Sequence, residues 1–349
     1  MNRLLKGLRA ATGLLRNPPA KTRRDIIASI TPTPGEPANA IVAAEWARPD
    51  NFFAAGYLLA NLDLQKACGS SEAAARDHFE RHGHAERRLQ ITRGYLEHRE
   101  RFFAEKFALF RAALSDRQAT GFPAVIGGQF CDLENYETES ANGVAAFFTD
   151  ELASNPDRLY ADIGAGLRNI VYRNCAYVEV YPSLTTDIVI EPRCALPFET
   201  ASLDGIGCFA VLEHVDQPWK MAEEFARVVK PGGKIFIDWP FLQPVHGYPS
   251  HYFNATREGL RSLFAPWFET HELYTGPHEG PNYTVHWIVS NLAASIGDAD
   301  VRDRFLDLTV RDLLGLAPTD PAWAPILAAL DDAAISRLSC GNTLVAQRK

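Results

Sequence analysis

Asp162-Ile-Gly-Ala-Gly166 closes the short apolar stretch that starts at Arg158 with one carboxylate and two glycines. Glycine lets a backbone turn tightly and come close to a ligand where a side chain would block it. At the carboxyl end of a parallel strand, such a turn is where an α/β sheet binds a nucleotide-like molecule. A second apolar pair, Tyr177-Val178, ends in Glu179, thirteen residues after Gly166. An acid at that strand tip can accept hydrogen bonds from both hydroxyls of a ribose.

The elements that must position these groups follow in order. Thr186–Glu191 reads as a third strand, again closed by an acid, and Ala195-Leu-Pro-Phe198 comes next. Asp204 opens a fourth strand, Gly205–Val211, which runs into Leu212-Glu-His-Val215. Met221, Phe225, Val228 and Val229 fall on one face of a helix. Lys230-Pro-Gly-Gly233 stops it, and Lys234–Trp239 is a fifth strand.

These segments resemble the class I S-adenosylmethionine-dependent methyltransferases of the kind called methyltransferase type 11. The resemblance rests on Asp162–Gly166, Leu196-Pro-Phe198, Val211–Val215 and Val228–Gly233, and covers roughly Leu159–Phe268. It implies a doubly wound, mostly parallel seven-stranded α/β sheet, with a sixth strand in Leu273–Asn291 and a last one at Asn342–Ala346. It implies S-adenosylmethionine as cofactor, with backbone groups of Gly164, Ala165 and Gly166 meeting its methionine part. Glu179 would bind the ribose hydroxyls and Glu191 the adenine amino group, and Ala210 completes the cofactor-side set. Asp162 would stabilise the glycine turn or act, through water, on the cofactor's ammonium. Two departures stand out. Arg168 occupies the place of a further family glycine, and Asp162 to Glu179 leaves little room for a full first helix.

Methyl transfer from a sulfonium is an in-line displacement that needs alignment and the exclusion of water. The catalytic candidates are His214, His246, His251 and Tyr252. His214 follows the fourth strand and serves either as a general base or as a structural group. His246, His251 and Tyr252 lie in the polar-aromatic loop after the fifth strand, where the acceptor is expected. His246 and His251 have no identifiable third partner, so no metal site is read from the sequence.

Residues 1–24 hold seven Lys or Arg and no acid, and the remainder carries 28 basic against 43 acidic residues, −15 in all. An acidic body argues against nucleic acid as a partner. Apolar content of 46% is that of a globular protein, and no apolar run is long enough for a transmembrane helix. The six cysteines show no Cys-x-x-Cys pair or zinc spacing, which fits a reducing cytoplasm.

Four regions are expected: a basic tail and Pro-rich linker (1–44), a small helical module (45–92), a connecting helix (93–120) and the catalytic domain (121–349). Met1–Arg16 can form a basic amphipathic helix; weak contact with an anionic membrane surface and a transit peptide stand beside the weightier reading of a solvated terminus. The module resembles a short helical repeat found beside bacterial glycosyltransferases and surface-glycan proteins. Its pattern falls on Phe52, Tyr57, Leu58, Asn61, Asp63, His78, Phe79, His82, Gly83, Glu86 and Arg87, with Arg87 directly after Glu86 where the pattern leaves a gap. His78, His82 and His84 read as core or surface residues.

Phe103, Phe107 and Phe110 form a packing stripe on the connecting helix, which is expected to dock the module. Gly127-Gly128 and Asp132–Asn142 read as a mobile loop or lid, and residues 299–336 as an inserted helical pair. The acceptor implied is a small molecule or a glycan-linked group. Two rivals remain: a degenerate methyltransferase fold acting as a binding scaffold, and a nicotinamide-dependent oxidoreductase on the same sheet.

Overall fold

The computed structural model describes residues 43–61, 63–64, 68, 71–116, 123–126, 144, 146–168, 170–181, 183–247, 250–276 and 279–340. The basic tail, the linker, the expected lid and the expected last strand at Asn342–Ala346 lie outside them. The chain forms two compact units. The first takes the residues up to Phe209 together with Glu223–Ile237, and the second takes Ala210–Ala222 and the chain from Asp238 onward.

In the first unit, β1 (Ala44–Trp46) pairs antiparallel with β2 (Leu89–Ile91), around α1 (Ala54–Ala60) and α2 (Glu72–His78). Helix α2 runs on into a single π-turn at Phe79–Gly83. Tyr57, Leu58, Ala75 and Phe79 are the core of this module, with Phe52 packed against it. A Cβ on Gly83 would lie 1.8 Å from the Tyr57 hydroxyl, so only glycine fits there. Asn61 ends α1 by donating to the carbonyls of Tyr57 and Leu89. The Arg88 guanidinium pairs with Glu86 at 2.5 Å and Asp63 at 2.6 Å. Arg87 has a left-handed φ of 54° and lies over the Trp46 ring.

The main sheet has six strands among the described residues, in the order β3-β6-β5-β4-β7-β8. They are β3 (Ala124–Ile126), β4 (Tyr160–Ile163), β5 (Cys175–Glu179), β6 (Ile188–Ile190), β7 (Leu203–Phe209) and β8 (Val229–Asp238). The pairs β3–β6, β6–β5, β5–β4 and β4–β7 are parallel. Strands β4, β5 and β6 are buried along their whole length, as strands covered on both faces must be.

No helix forms among the described residues between β4 and β5, or between β5 and β6. The face they leave is covered instead by α3 (Arg93–Phe110), capped by the Thr92 side chain. Phe102 joins the core of Phe148, Leu152, Tyr160, Cys175, Tyr177 and Phe209, where Phe148 and Leu152 come from α4 (Ala146–Ser154). Arg99 and Lys106 reach the buried Asp187 at 3.2 and 2.6 Å, and Lys106 Nζ lies 4.6 Å from the Tyr177 ring. Asp187 also accepts from the Tyr177 N–H. At the start of α3, Tyr95 packs with Ile91, Leu167 and Leu184, so this helix joins the module to the sheet.

Helix α5 (Pro218–Val228) places Met221, Phe225 and Val228 in the interior, as their spacing predicts. The second unit holds α6 (Arg257–Phe264), α7 (Pro281–Ser295), α8 (Ala299–Leu306), α9 (Val310–Gly315), α10 (Ala324–Ala328) and α11 (Asp332–Leu338). The expected sixth strand is therefore a helix, α7. Its Tyr, Val, Trp and Ile content reads as strand, but Pro281 at its first position favours a helical start, and short apolar runs do not separate the two states. The expected helical pair is four short helices, with Phe305, Val301 and Leu308 in a common cluster.

Asp187→Ala would leave two buried cations without their acid and should cost about 3–5 kcal/mol in urea unfolding. Lys106→Met should cost far less, because Asp187 keeps Arg99; equal losses would contradict the shared-acid arrangement.

Candidate functional site

The glycine turn sits directly after β4. Gly164 and Gly166 take left-handed φ values of 67° and 59°, which non-glycine residues adopt rarely. The turn is fastened from within. Gly164 and Ala165 donate their N–H groups to the Val178 carbonyl at 2.9 and 3.1 Å. Gly166 N–H donates to Glu179 Oε2 at 2.8 Å, while Ser183 Oγ donates to the Gly166 carbonyl. The three N–H groups of the turn are thus already used. The expectation that backbone groups here meet a ligand narrows to close approach and to the remaining carbonyls.

Arg168 explains its own departure from the glycine pattern. Its Nε and Nη2 donate to the two Asp162 oxygens at 2.8 and 3.0 Å, a bidentate pair with both side chains buried. Its backbone N–H donates to Thr185 Oγ1 at 2.8 Å. Asp162 is fully buried, and both of its oxygens accept from Arg168.

Glu179 ends β5 and is 7% exposed. Oε1 accepts from the Val180 N–H and Oε2 from Gly166, both at 2.8 Å. Burial pushes its carboxyl up to about 7, against the pull of those two N–H groups and of Arg168. Each oxygen keeps a second lone pair for a further donor. Glu191 follows β6, partly exposed, and pairs with Arg193 at 2.9 Å. Ala210, the residue after β7, has a left-handed φ of 53° and donates to the Asp238 carbonyl. Strain of that kind concentrates at functional positions.

Three expected catalytic histidines come together in the second unit. Their ring centres are 5.4 Å (His214–His246), 5.6 Å (His214–His251) and 4.8 Å (His246–His251) apart. His214 Nδ1 donates to the Ser250 carbonyl and His246 Nδ1 to the Pro244 carbonyl, each at 2.9 Å. A carbonyl only accepts, so Nε2 of each neutral ring carries the lone pair. His251 uses both nitrogens, with Nε2 donating to Asn254 Oδ1 at 2.6 Å and Nδ1 accepting from the His246 N–H at 3.4 Å. Burial lowers His214 to about 4 and lowers His246 as well. Tyr252 leaves its ring exposed and contributes its N–H to the Glu213 carbonyl at 2.6 Å.

The sequence supplied no third group for the histidines; folding supplies Glu213. This side chain is 0% exposed, and neither of its oxygens has a hydrogen-bond partner among the described residues. Burial pushes it up to about 8, with Asp238 adding to the effect. Glu213 Oε1 lies 3.8 Å from His214 Nε2. Gly247, at a φ of +78°, lies against the His214 ring, where a Cβ would come within 2.3 Å. Glycine there was not singled out in the sequence, nor were Ser250 and Asn254, because only folding brings them to the rings.

Residues 159–237 match the family profile described as a methyltransferase domain. This segment is a methyltransferase domain. An uncharacterised methyltransferase of Mycolicibacterium gilvum is 39% identical over 71 residues, which is 19% of this chain and 28% of that protein. The chain's likeness to this curated relative therefore spans under a third of the relative's length. Among solved structures, the YcgJ protein of Bacillus subtilis aligns at 16% identity and a TM-score of 0.29, over 44% of this chain and 85% of its own. A Haemonchus contortus phosphoethanolamine N-methyltransferase 2, solved with S-adenosyl-L-methionine, aligns at 15% and 0.26, over 49% and 46%. No helix among the described residues is long and apolar enough to cross a membrane.

Two measurements test the site in the methyltransferase domain. Arg168→Gly, which restores the family's glycine, should destabilise the protein by about 3–5 kcal/mol in thermal or urea unfolding, since Asp162 would be buried alone. Glu179 makes stability fall as pH rises from about 4.5 to about 7, because the unfolded chain releases this proton first. Glu179→Gln should flatten that part of the urea-midpoint profile; parallel profiles for the two proteins would show that the carboxyl is not desolvated.

Proposed function

We propose that the protein is an S-adenosylmethionine-dependent methyltransferase acting on oxygen or nitrogen of a small-molecule or glycan-linked acceptor. The observation that carries this reading is the methyltransferase profile lying over β4, the glycine turn, Glu179 and β7.

The residues present fit the cofactor. Glu179 is held rigid by two backbone donors and still offers one lone pair on each oxygen, which suits a pair of vicinal hydroxyls. Glu191, partly exposed at the end of β6, suits an exocyclic amine. The positive-φ glycines keep Cβ atoms away from the approach to the turn. When bound, S-adenosylmethionine supplies an electrophilic methyl group on a positively charged sulfur. The part of this chain is to hold and orient it, with Arg168 and Asp162 fixing the turn from below.

His214, His246, His251 and Tyr252 are the candidates for handling the acceptor. A neutral imidazole is a competent base, and loss of solvation favours the neutral form of His214 and, although that residue is exposed overall, of His246. The glycan-linked class of acceptor rests on the resemblance of the N-terminal module to a repeat found beside bacterial glycosyltransferases, in which Arg88 here links Asn61, Asp63 and Glu86. Surface-polysaccharide biosynthesis at the inner face of the membrane, with Met1–Arg16 as the surface contact, is the setting this suggests.

Calorimetric titration with S-adenosylmethionine and S-adenosylhomocysteine should show saturable binding. In Glu179→Ala it should weaken by about 10–100-fold, the worth of a charge-assisted hydrogen bond. No binding by well-folded wild-type protein would overturn the reading and favour a scaffold role.

A further inference from the structure

Glu213, His214 and His246 each present a ligand atom, and the three atoms lie within 4.8 Å of one another. We propose that these residues bind a divalent transition-metal ion of the zinc class, with Glu213 Oε and the Nε2 atoms of His214 and His246 as its protein ligands. The inference does not rest on the methyltransferase reading, because the three residues converge without any cofactor. With the ion bound, the Nε2 lone pairs of His214 and His246 go to it and neither ring is then a base.

Three observations carry it. The first is the donor set, since two imidazoles and one carboxylate form a set that zinc takes when it keeps a fourth position open. The second is the orientation of the rings. Both histidines spend Nδ1–H on a backbone carbonyl, Ser250 for His214 and Pro244 for His246, which leaves Nε2 of each neutral ring with its lone pair. Metal-bound histidines are held in this way by outer partners that fix the tautomer. The third is Glu213 itself, wholly buried beside the rings with both oxygens unpartnered among the described residues. A buried carboxyl group without a partner has lost its hydrogen bonds to water, a cost that a cation or a donor offsets.

The spacing is close to what an ion requires. Bonds of about 2.0–2.2 Å draw tetrahedral ligand atoms to roughly 3.3 Å from one another. Glu213 Oε1 and His214 Nε2 are already 3.8 Å apart, so small side-chain rotations suffice. The backbone is fixed to hold them. Tyr252 and Phe253 donate to the Glu213 carbonyl, and Gly247 lies against the His214 ring where no larger residue fits. His246 is exposed, so solvent can reach the fourth position. His251 is excluded from the ligand set because both of its nitrogens are engaged. Its place is beside the site, steadying the His246 backbone.

The test uses the full-length protein, freed of metal with a chelator and titrated with Zn2+ by calorimetry and with Co2+ by visible absorption. The expected result is one ion per chain, and a cobalt spectrum of four- or five-coordinate type. Glu213→Gln and His246→Ala should each weaken binding by at least the roughly 10–100-fold that loss of an outer partner alone costs. His251→Ala should retain stoichiometric binding. Glu213→Gln keeps the shape of the side chain and so is expected to fold; circular dichroism and the unfolding midpoint check this for each variant. Failure of the wild-type protein to bind saturably would overturn the proposal. So would binding that survives both ligand substitutions, or binding lost in His251→Ala and kept in His246→Ala. S-adenosylmethionine affinity, measured in parallel, reports separately on the methyltransferase reading.

Discussion

Beneath the glycine turn the Arg168 guanidinium grips both oxygens of Asp162, and the connection from β4 to β5 hangs on that pair. A parallel crossover ordinarily gains its rigidity from a helix packed on the sheet. Here there is none among the described residues, and the short loop is fixed by charge and hydrogen bonds instead. Ser183, Thr185 and Thr186 extend the network, so that the loops after β4 and β5 form one hydrogen-bonded layer. Arg168, which looks like a defect in the glycine pattern, is the residue that makes the shortened turn workable.

The same economy shapes the N-terminal part of the first unit. With no helix between β4 and β6 among the described residues, Tyr177 and the Asp187 carboxylate must be covered from elsewhere. Helix α3 supplies both the apolar cover, through Phe102, and the cations, through Arg99 and Lys106. The small module is thereby tied to the sheet, since Ile91 and Tyr95 pack on Leu167 and Leu184 of the loops that carry the turn. A buried cluster of this kind adds less net stability than apolar packing would, but losing one member leaves the others stranded. Module and sheet are bound into one folding unit on that account.

In the second unit the organising constraint is the backbone around Glu213 and His214. The Tyr252 and Phe253 N–H groups hold the Glu213 carbonyl, and the Ser250 carbonyl fixes the His214 ring. Residues about forty positions apart are thus brought within bonding distance of each other. The result is a compact group of imidazoles around a buried carboxylate.

Much of the methyltransferase domain was readable from the sequence because its signals are local. Glycines at a turn, acids at strand tips and short apolar runs depend on neighbours a few residues apart, and β4 to β7 formed close to where these signals placed them, while β8 starts at Val229 and takes in Lys230–Gly233, which reads as a helix stop. Segments with ambiguous local signals went otherwise. Leu273–Asn291 carries β-branched and aromatic residues, but from Pro281 it lies in helix α7, and the ion pairs with Asp63 and Glu86 fall to Arg88 rather than Arg87. What only the tertiary structure decided is long-range pairing: Arg168 with Asp162, α3 with Asp187, and Glu213 with His214 and His246. A side chain's partner across a fold depends on where whole elements dock, and burial then sets its charge and its chemistry. One sequence states which groups are available, but it does not state which of them meet.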